Sequence, residues 1–340
     1  MTLQETELSS ELSTEERRQL LRQMVLSRTF EQAILREYHA DKGPGFDIGK
    51  GLIPGEMHIS AGQEPAAVGV CAHLTTDDAV TATHRSHHLA IAHGVALRPL
   101  AAEIFGRETG LGKGRGGHMH LFDPATHFSS SGIIAEGMPT ALGQAFAFRH
   151  AGNERIAVAV VGEGAANAGA FHESLNLAAL WKLPVVFVIE DNDWGISVHR
   201  NDSTSVSSNA DRAAGYGIPG VRVEGNDVEA IHAAAGAAVA RARSGEGPSL
   251  IEIHTLRLRG HFEGDAQGYR PELEDVPGRD PIPAYERKLL DAGAVTEADL
   301  AEIRAWAEKE VEDAVDFAKA SPAPKPEEAL KYVFAEGEQS

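Results

Sequence analysis

Residues 156 to 195 decide how the chain folds. Ile156-Ala-Val-Ala-Val-Val161 is an apolar, β-branched run that breaks at Gly162-Glu163-Gly164. A helical stretch follows, from about Asn167 to Lys182. A second apolar run, Pro184-Val-Val-Phe-Val-Ile189, then stops at Glu190-Asp-Asn192-Asp-Trp194-Gly195. Short apolar runs bounded by turn residues read as buried strands, and the longer stretch between them as a helix. A right-handed crossover sets the two strands parallel, with Glu163 and Asn192 on two loops at one edge of the sheet.

Outward from this unit the same alternation recurs. An Ala-rich helix from Thr140 to Arg149 precedes it. Gly220-Val-Arg-Val-Glu224 reads as a short strand, Asp227 to Ser244 as a helix with Asp227 near its start, and Ser249 to Leu256 as a strand. Arg200 to Asn209, polar and Ser-rich, reads as a surface loop, and Arg259 to Arg270 as a long loop. Alternating strands and helices predict an α/β fold: a doubly wound, mostly parallel sheet flanked by helices. Helical extensions lie at both ends. At the N-terminus Ser13-Thr-Glu-Glu16 fits a capping box, and Leu20, Met24, Phe30, Ile34 and Tyr38 form an apolar stripe up to the break at Gly43-Pro-Gly-Phe46. Two C-terminal helices are predicted over 284–292 and 297–319, the second capped by Thr296. The expected organisation is a helical extension over 1–45, an α/β domain over 46–280, helices over 281–320 and a Pro-rich linker and tail over 321–340.

The 340 residues are 42% hydrophobic, enough for a large core. A formal net charge of −19 argues against nucleic-acid binding, which needs basic surface. No apolar run approaches the roughly 20 residues of a membrane span, and the acidic N-terminus lacks a signal-peptide pattern. A cytoplasmic protein is expected. The single cysteine, Cys71, lies in an apolar stretch and reads as a buried thiol, not a nucleophile.

The chemistry concentrates in three places. Gly162-Glu-Gly164 invites comparison with the dinucleotide fingerprint, but its third glycine position is Asn167 and a carboxylate beside a pyrophosphate repels it. A hard divalent cation uses more of the residues: Glu163 offers a carboxylate, Asn192 an amide oxygen, and a carbonyl near Trp194 a third oxygen. Gly164, Ala165 and Ala166 leave room for a ligand, and the following helix start favours anions. Residues 55–120 are rich in histidine, without a zinc template; Arg85 between His84 and His88 opposes a cation there. Those side chains suit hydrogen bonding or proton transfer. Gly110-Leu-Gly-Lys-Gly-Arg-Gly-Gly117 reads equally as a surface loop or as a backbone nest for anionic oxygens.

Taken together, Gly162-Glu-Gly-Ala-Ala-Asn167, Phe171-His-Glu173-Ser-Leu-Asn176, Leu183-Pro-Val and Glu190-Asp-Asn192 resemble the thiamine-diphosphate motif. More narrowly, the chain is similar to the alpha subunit of the dehydrogenase component of 2-oxo acid and acetoin dehydrogenase complexes. The similarity spans about residues 15 to 290 and takes in His58…Gly62-Gln63-Glu64, His84-Arg85-Ser-His87, Gly116-Gly-His-Met-His120 and the loop around His261. It implies thiamine diphosphate and Mg²⁺ as cofactors. Glu163, Asn192 and the Trp194 backbone match the metal ligands. Arg85 and His84 match the diphosphate contacts, alongside Gly162, Gly164 and Ala165. Gly132 and Ile134 match the backbone positions that hold the aminopyrimidine. His261, His58 and His87 match active-site histidines. Glu163 stands where the family pattern has Asp, and His84 where many members have Tyr. Phe262 replaces the serine that kinase-regulated members carry after the loop histidine, and the loop is most similar to the acetoin branch.

The resemblance further implies a beta subunit that supplies the activating glutamate, a heterotetramer of two alpha and two beta subunits, and a lipoyl-bearing acyltransferase as acyl acceptor. The substrate is then a small molecule: acetoin, pyruvate or a branched-chain 2-oxo acid. Two alternatives remain open on the residues alone, an NAD-dependent dehydrogenase using Gly162 and Gly164, and a structural subunit in which Glu163 has disabled the metal site.

Overall fold

The computed structural model describes residues 12–42, 47–224, 226–270 and 276–331. The expected break at Gly43–Phe46 and the last nine residues lie outside these. The strands are β1 (Ala79–Thr83), β2 (Phe122–Asp123), β3 (Phe128–Ser131), β4 (Ala157–Gly162), β5 (Val185–Asp191), β6 (Trp194–Gly195), β7 (Val198–His199), β8 (Gly220–Val223) and β9 (Ser249–His254). The α-helices are α1 (Thr14–His39), α2 (Glu64–Cys71), α3 (His87–His93), α4 (Leu97–Ile104), α5 (Gly137–Ala151), α6 (Gly169–Trp181), α7 (Arg200–Ser203), α8 (Val228–Arg243), α9 (Pro281–Asp291) and α10 (Glu297–Ala320).

Seven strands form one sheet in the order β2-β3-β1-β4-β5-β9-β8, and every pairing except β2 with β3 is parallel. As expected, β4 and β5 are parallel neighbours, with Gly162 opposite Glu190. Both faces of the sheet are covered, which is why its central strands are apolar throughout and do not alternate. Val158, Val160, Val186 and Val188 face a core shared with α1, α2, α4, α8 and α10. Ala157, Ala159, Val161, Val185, Phe187 and Ile189 face a second core under α5 and α6.

The N-terminal stripe of Leu20, Met24, Phe30, Ile34 and Tyr38 is buried in the first of these cores. Ser13 and Glu16 form the expected capping box, and Thr296 forms a second one with Asp299. Arg28 of α1 pairs with Glu64 at 2.5 Å and Asp280 at 2.8 Å, tying α1 to α2 and to the start of α9. Cys71 is buried, and burial pushes its thiol up to about 12. Beyond α10, Ser321 and Pro322 are held to the chain through Thr109 and Glu108.

Two local expectations need correction. The helix expected from Asn167 is preceded by a 3₁₀ turn, Glu163–Asn167, and starts at Gly169. Arg200 to Asn209 is not simply a surface loop. Arg200, Ser208 and Asn209 are buried: Arg200 Nε lies 3.0 Å from Asp191 Oδ2, and Ser208 and Asn209 donate to Glu252. The segment is polar because it surrounds buried carboxylates, not because it meets water.

Candidate active site

The carboxyl ends of β1, β4, β5 and β9 surround a cleft of about 290 Å³. From β1 the chain goes to β3 on one side and β4 on the other, and ligands of open α/β sheets bind at such a reversal. Ten of the residues singled out from sequence line this cleft: His84, Arg85, Ile134, Gly162, Glu163, Gly164, Ala165, Asn192, Trp194 and His261. Gly132 lies between two lining residues, Ser131 and Ile133. His58 stands one ring behind, edge-on to His84 at 4.6 Å and to His261 at 5.0 Å. His87 is fully buried and does not reach the cleft.

One corner suits a hard cation. Glu163 is 2% exposed and accepts the Asn192 backbone N–H at 3.4 Å. Burial raises its carboxyl above the usual range, against those backbone bonds and the nearby Arg257 charge. Asn192 Nδ2 donates to Gln63 Oε1 at 3.3 Å, while its Oδ1 is buried with no partner among the described residues. A buried acceptor left unmade costs about 1–3 kcal/mol, so this oxygen is set for something the chain does not supply. A carboxylate and a free amide oxygen are the donor set of a small divalent cation. A Cβ on Gly162 would meet no atom within 4 Å, so the space beside it is open to a ligand.

The other side suits an oxyanion. Arg85 is 5% exposed; Nη1 donates to the Ile59 carbonyl at 2.5 Å and Nη2 to the His261 carbonyl at 2.7 Å. Arg257 is buried, donates from Nη2 to Tyr269 Oη at 2.9 Å, and has an unpartnered Nε. Neither forms an ion pair with a carboxylate among the described residues. Burial, with Arg257 beside it, lowers Arg85 to about 10. Carboxylates stand near both, Glu31, Glu190 and Glu163 by Arg85 and Asp265 by Arg257, but two buried guanidiniums without a directly paired carboxylate are costly unless an anion completes them, and their planar forks match phosphate oxygens. The residues present therefore fit a metal-bound diphosphate.

Two of these side chains had no role on sequence alone. Gln63 orients the Asn192 amide, and Gly62 before it is obligatory, because at φ +99° a Cβ would lie 2.1 Å from the Leu256 carbonyl. Arg257 lies three residues past the end of β9; a basic residue shortly after a strand's carboxyl end was the available signal. The loop beyond it is knit together. Asp265 Oδ2 accepts the His261 backbone N–H at 2.8 Å and the Tyr269 hydroxyl at 2.6 Å, and the Tyr269 ring meets Trp194 at 5.2 Å.

The wall between loop and sheet is imidazole. Ring nitrogens of His58, His84 and His261 lie within 4.8 Å of one another. Arg85 and Arg257 both stand within 3.5 Å of His261 Nδ1, which sets this trio against a cation. Burial and the Arg85 charge push His84 down to about 3 and His261 to about 4, so both are neutral near pH 7. His88 does not join His84; its Nε2 pairs with Glu190 at 2.7 Å. The glycine-rich loop is a nest after all, but a closed one: the N–H groups of Gly112, Gly114 and Gly116 donate to the buried Glu103 carboxylate at 2.7, 2.9 and 2.7 Å.

Comparison with known proteins matches residues 22–327 to the family described as dehydrogenase E1 component. The chain belongs to this family. Among its E1 relatives, the alpha subunit of acetoin:2,6-dichlorophenolindophenol oxidoreductase from Cupriavidus necator is 44% identical over 292 residues, covering 85% of this chain and 88% of the relative. The Bacillus subtilis protein of the same name is 42% identical over 331 residues, covering 94% and 98%. The pyruvate dehydrogenase E1 component subunit alpha of Porphyra purpurea is 37% identical over 327 residues, covering 93% and 92%.

Proposed function

We propose that this E1 chain is the alpha subunit of a thiamine-diphosphate-dependent dehydrogenase that cleaves acetoin or a 2-oxo acid, with acetoin the favoured substrate. The unpartnered Asn192 oxygen, facing two buried guanidiniums across one cleft, carries the reading. Membership of a family that depends on thiamine diphosphate supports it, as do the two acetoin-linked relatives.

In this reading Glu163, Asn192 and the Trp194 carbonyl hold Mg²⁺. Arg85 and Arg257 take the diphosphate, with Gly162, Gly164 and Ala165 leaving it room. The Gly132 and Ile134 backbone holds the aminopyrimidine. Bound thiamine diphosphate supplies an electron sink for carbon–carbon cleavage. His261 and His84, neutral at pH 7, orient the substrate oxygens and exchange protons with them. Ile133, Ile134 and Ile196 are exposed apolar side chains on the cleft, suited to cover by a beta subunit that brings the activating glutamate. The acyl group then passes to a lipoyl-bearing acyltransferase. No helix among the described residues is long and apolar enough to cross a membrane; the cytoplasm is the proposed location.

Calorimetry on the co-expressed alpha–beta complex tests the reading. Thiamine diphosphate is expected to bind only with Mg²⁺ present. Binding of NADH without metal, and no response to thiamine diphosphate, would favour the nicotinamide alternative. Unchanged turnover and metal dependence in Glu163→Ala would favour a structural subunit.

A further inference from the structure

Behind the cleft runs a row of buried polar side chains that this assignment leaves without a task. His84 and His261 line the cleft, and His58 stands edge-on behind both. His58 Nδ1 lies 3.4 Å from His118 Nε2, the rings stacked at 5.3 Å. The His118 ring is 5.5 Å from that of His87, and His87 Nδ1 reaches Glu31 Oε1 at 3.2 Å. Ser60 donates to the same oxygen from its backbone N–H at 2.8 Å and its hydroxyl at 2.5 Å. Glu31, on α1, is 1% exposed. His87 Nε2 and Glu31 Oε2 have no partner among the described residues, and His118 has the Glu56 backbone beside it.

Packing alone does not explain the row. Each orphaned polar atom costs stability, and apolar side chains of similar volume would fill the space at lower cost. Adjoining imidazoles, hydrogen-bonded at the His58–His118 and His87–Glu31 links and in ring contact at the others, lead from the cleft to a carboxylate that solvent cannot reach and are suited to moving protons.

We propose that His58, His118, His87 and Glu31 form a proton relay that serves the reacting oxygens of an α-hydroxy ketone in the cleft and ends at the buried His87–Glu31 pair. The proposal rests on the cofactor reading above. The cofactor, when bound, would supply the sink for the electron pair of the bond between the two oxygen-bearing carbons. The O–H pair closes the second C–O bond of the departing aldehyde. The hydroxyl proton passes to His261 or His84 and inward, and the row returns it to the carbonyl oxygen of the next substrate as that oxygen becomes a hydroxyl.

The rings nearest the cleft hold a proton poorly. Burial and Arg85 push His58 far below its ordinary value, and burial with the neighbouring His87, His84 and Arg85 does the same to His118. His87 is the ring in this row that is hydrogen-bonded to a carboxylate. Burial pushes the Glu31 carboxyl up, but the bonds from His87 and Ser60 hold it below the usual range, so it stays ionised. The other charged or titratable groups facing the row are Arg85, Arg257, His120, Glu190 and Glu163, which stand toward the cleft or against Arg85, and His88, Glu64 and Arg259, which stand around Glu31. Phe30 of α1 packs edge-on against His87 at 6.3 Å. Glu31 and His87 touch no cleft atom and are positioning residues.

The test uses the assembled alpha–beta complex, with acetoin as substrate and dichlorophenolindophenol as acceptor. Glu31→Gln keeps the shape and removes the charge. The expected result is a kcat lowered roughly tenfold or more, with KM and the Kd of thiamine diphosphate unchanged and the kcat–pH profile altered. Glu31→Asp restores part of the loss, and adding His87→Gln to Glu31→Gln costs nothing further. In the unmodified complex, kcat in H₂O–D₂O mixtures bows downward, because more than one proton moves in the slow step. An unchanged kcat–pH profile in Glu31→Gln, or equal losses of kcat and cofactor affinity, overturns the relay; so does a straight isotope plot, which needs no variant. An unmodified complex that binds no thiamine diphosphate overturns the cofactor reading and the relay with it.

Discussion

Two places in this chain gather donors around an anion, and they end differently. The glycine-rich loop at 110–117 turns three backbone N–H groups onto Glu103, a carboxylate of the same chain. Among the described residues, the cleft at the carboxyl edge of the sheet collects Arg85 and Arg257 without pairing either to a carboxylate, and leaves the Asn192 oxygen beside them with no partner. In sequence the first looks more like a phosphate loop than the second. In the fold the first is internally satisfied and the second is not. Glycines and basic residues mark where an anion can sit; the balance of partners tells whether the anion is the chain's own.

Arg85→Ala would break the contrast most severely. It removes a buried charge that only a ligand completes, and thiamine diphosphate affinity is expected to fall about a hundredfold or more, roughly 3 kcal/mol, by calorimetry on the complex. Glu103→Ala strikes the other site. Three N–H groups lose their acceptor, and the denaturation midpoint is expected to drop by an amount worth about 2 kcal/mol, with cofactor affinity unmoved. Asn192→Leu separates stability from function: it deletes the orphaned oxygen but takes the donor from Gln63 Oε1, so the two changes offset and the ligand-free chain is expected to shift by less than about 1 kcal/mol, while Mg²⁺ binding, followed by Trp194 fluorescence, weakens at least tenfold.

The smallest effect is on pH dependence. His84 and His261 have folded values of about 3 and 4, below their ordinary value. The unfolded chain therefore takes up protons first as pH falls, and their contribution to stability, full above roughly pH 6.5, is lost toward pH 4. Urea titrations at pH 7 and pH 5 are expected to differ in that direction, and His84→Gln to narrow the gap slightly. A gap unchanged by that substitution would mean that other groups carry it.

The doubly wound sheet was legible because its cause is local and periodic. Apolar runs of strand length with glycine or acidic stops at 162–164 and 190–195 leave few alternatives, and the resemblance located most of the cleft's lining. What was not legible depended on partners far apart in the chain. Arg200 and Asn209 read as surface because they are polar; they are buried because Asp191 and Glu252 lie beside them. Gln63 was part of a recognised motif, yet its work depends on Asn192, 129 residues away. His87 read as an active-site histidine, and the fold sets it behind the cleft against Glu31, 56 residues earlier.

The sequence by itself determined the first helix, the main strands and helices from residue 140 on, the family and the two strand-end loops, since these follow from periodicity and short motifs; it assigned none of the elements between residues 46 and 139. Only the tertiary structure decided which polar groups are satisfied within the chain and which are held open. Burial and hydrogen-bond geometry set that balance, and both depend on neighbours brought together across the sheet.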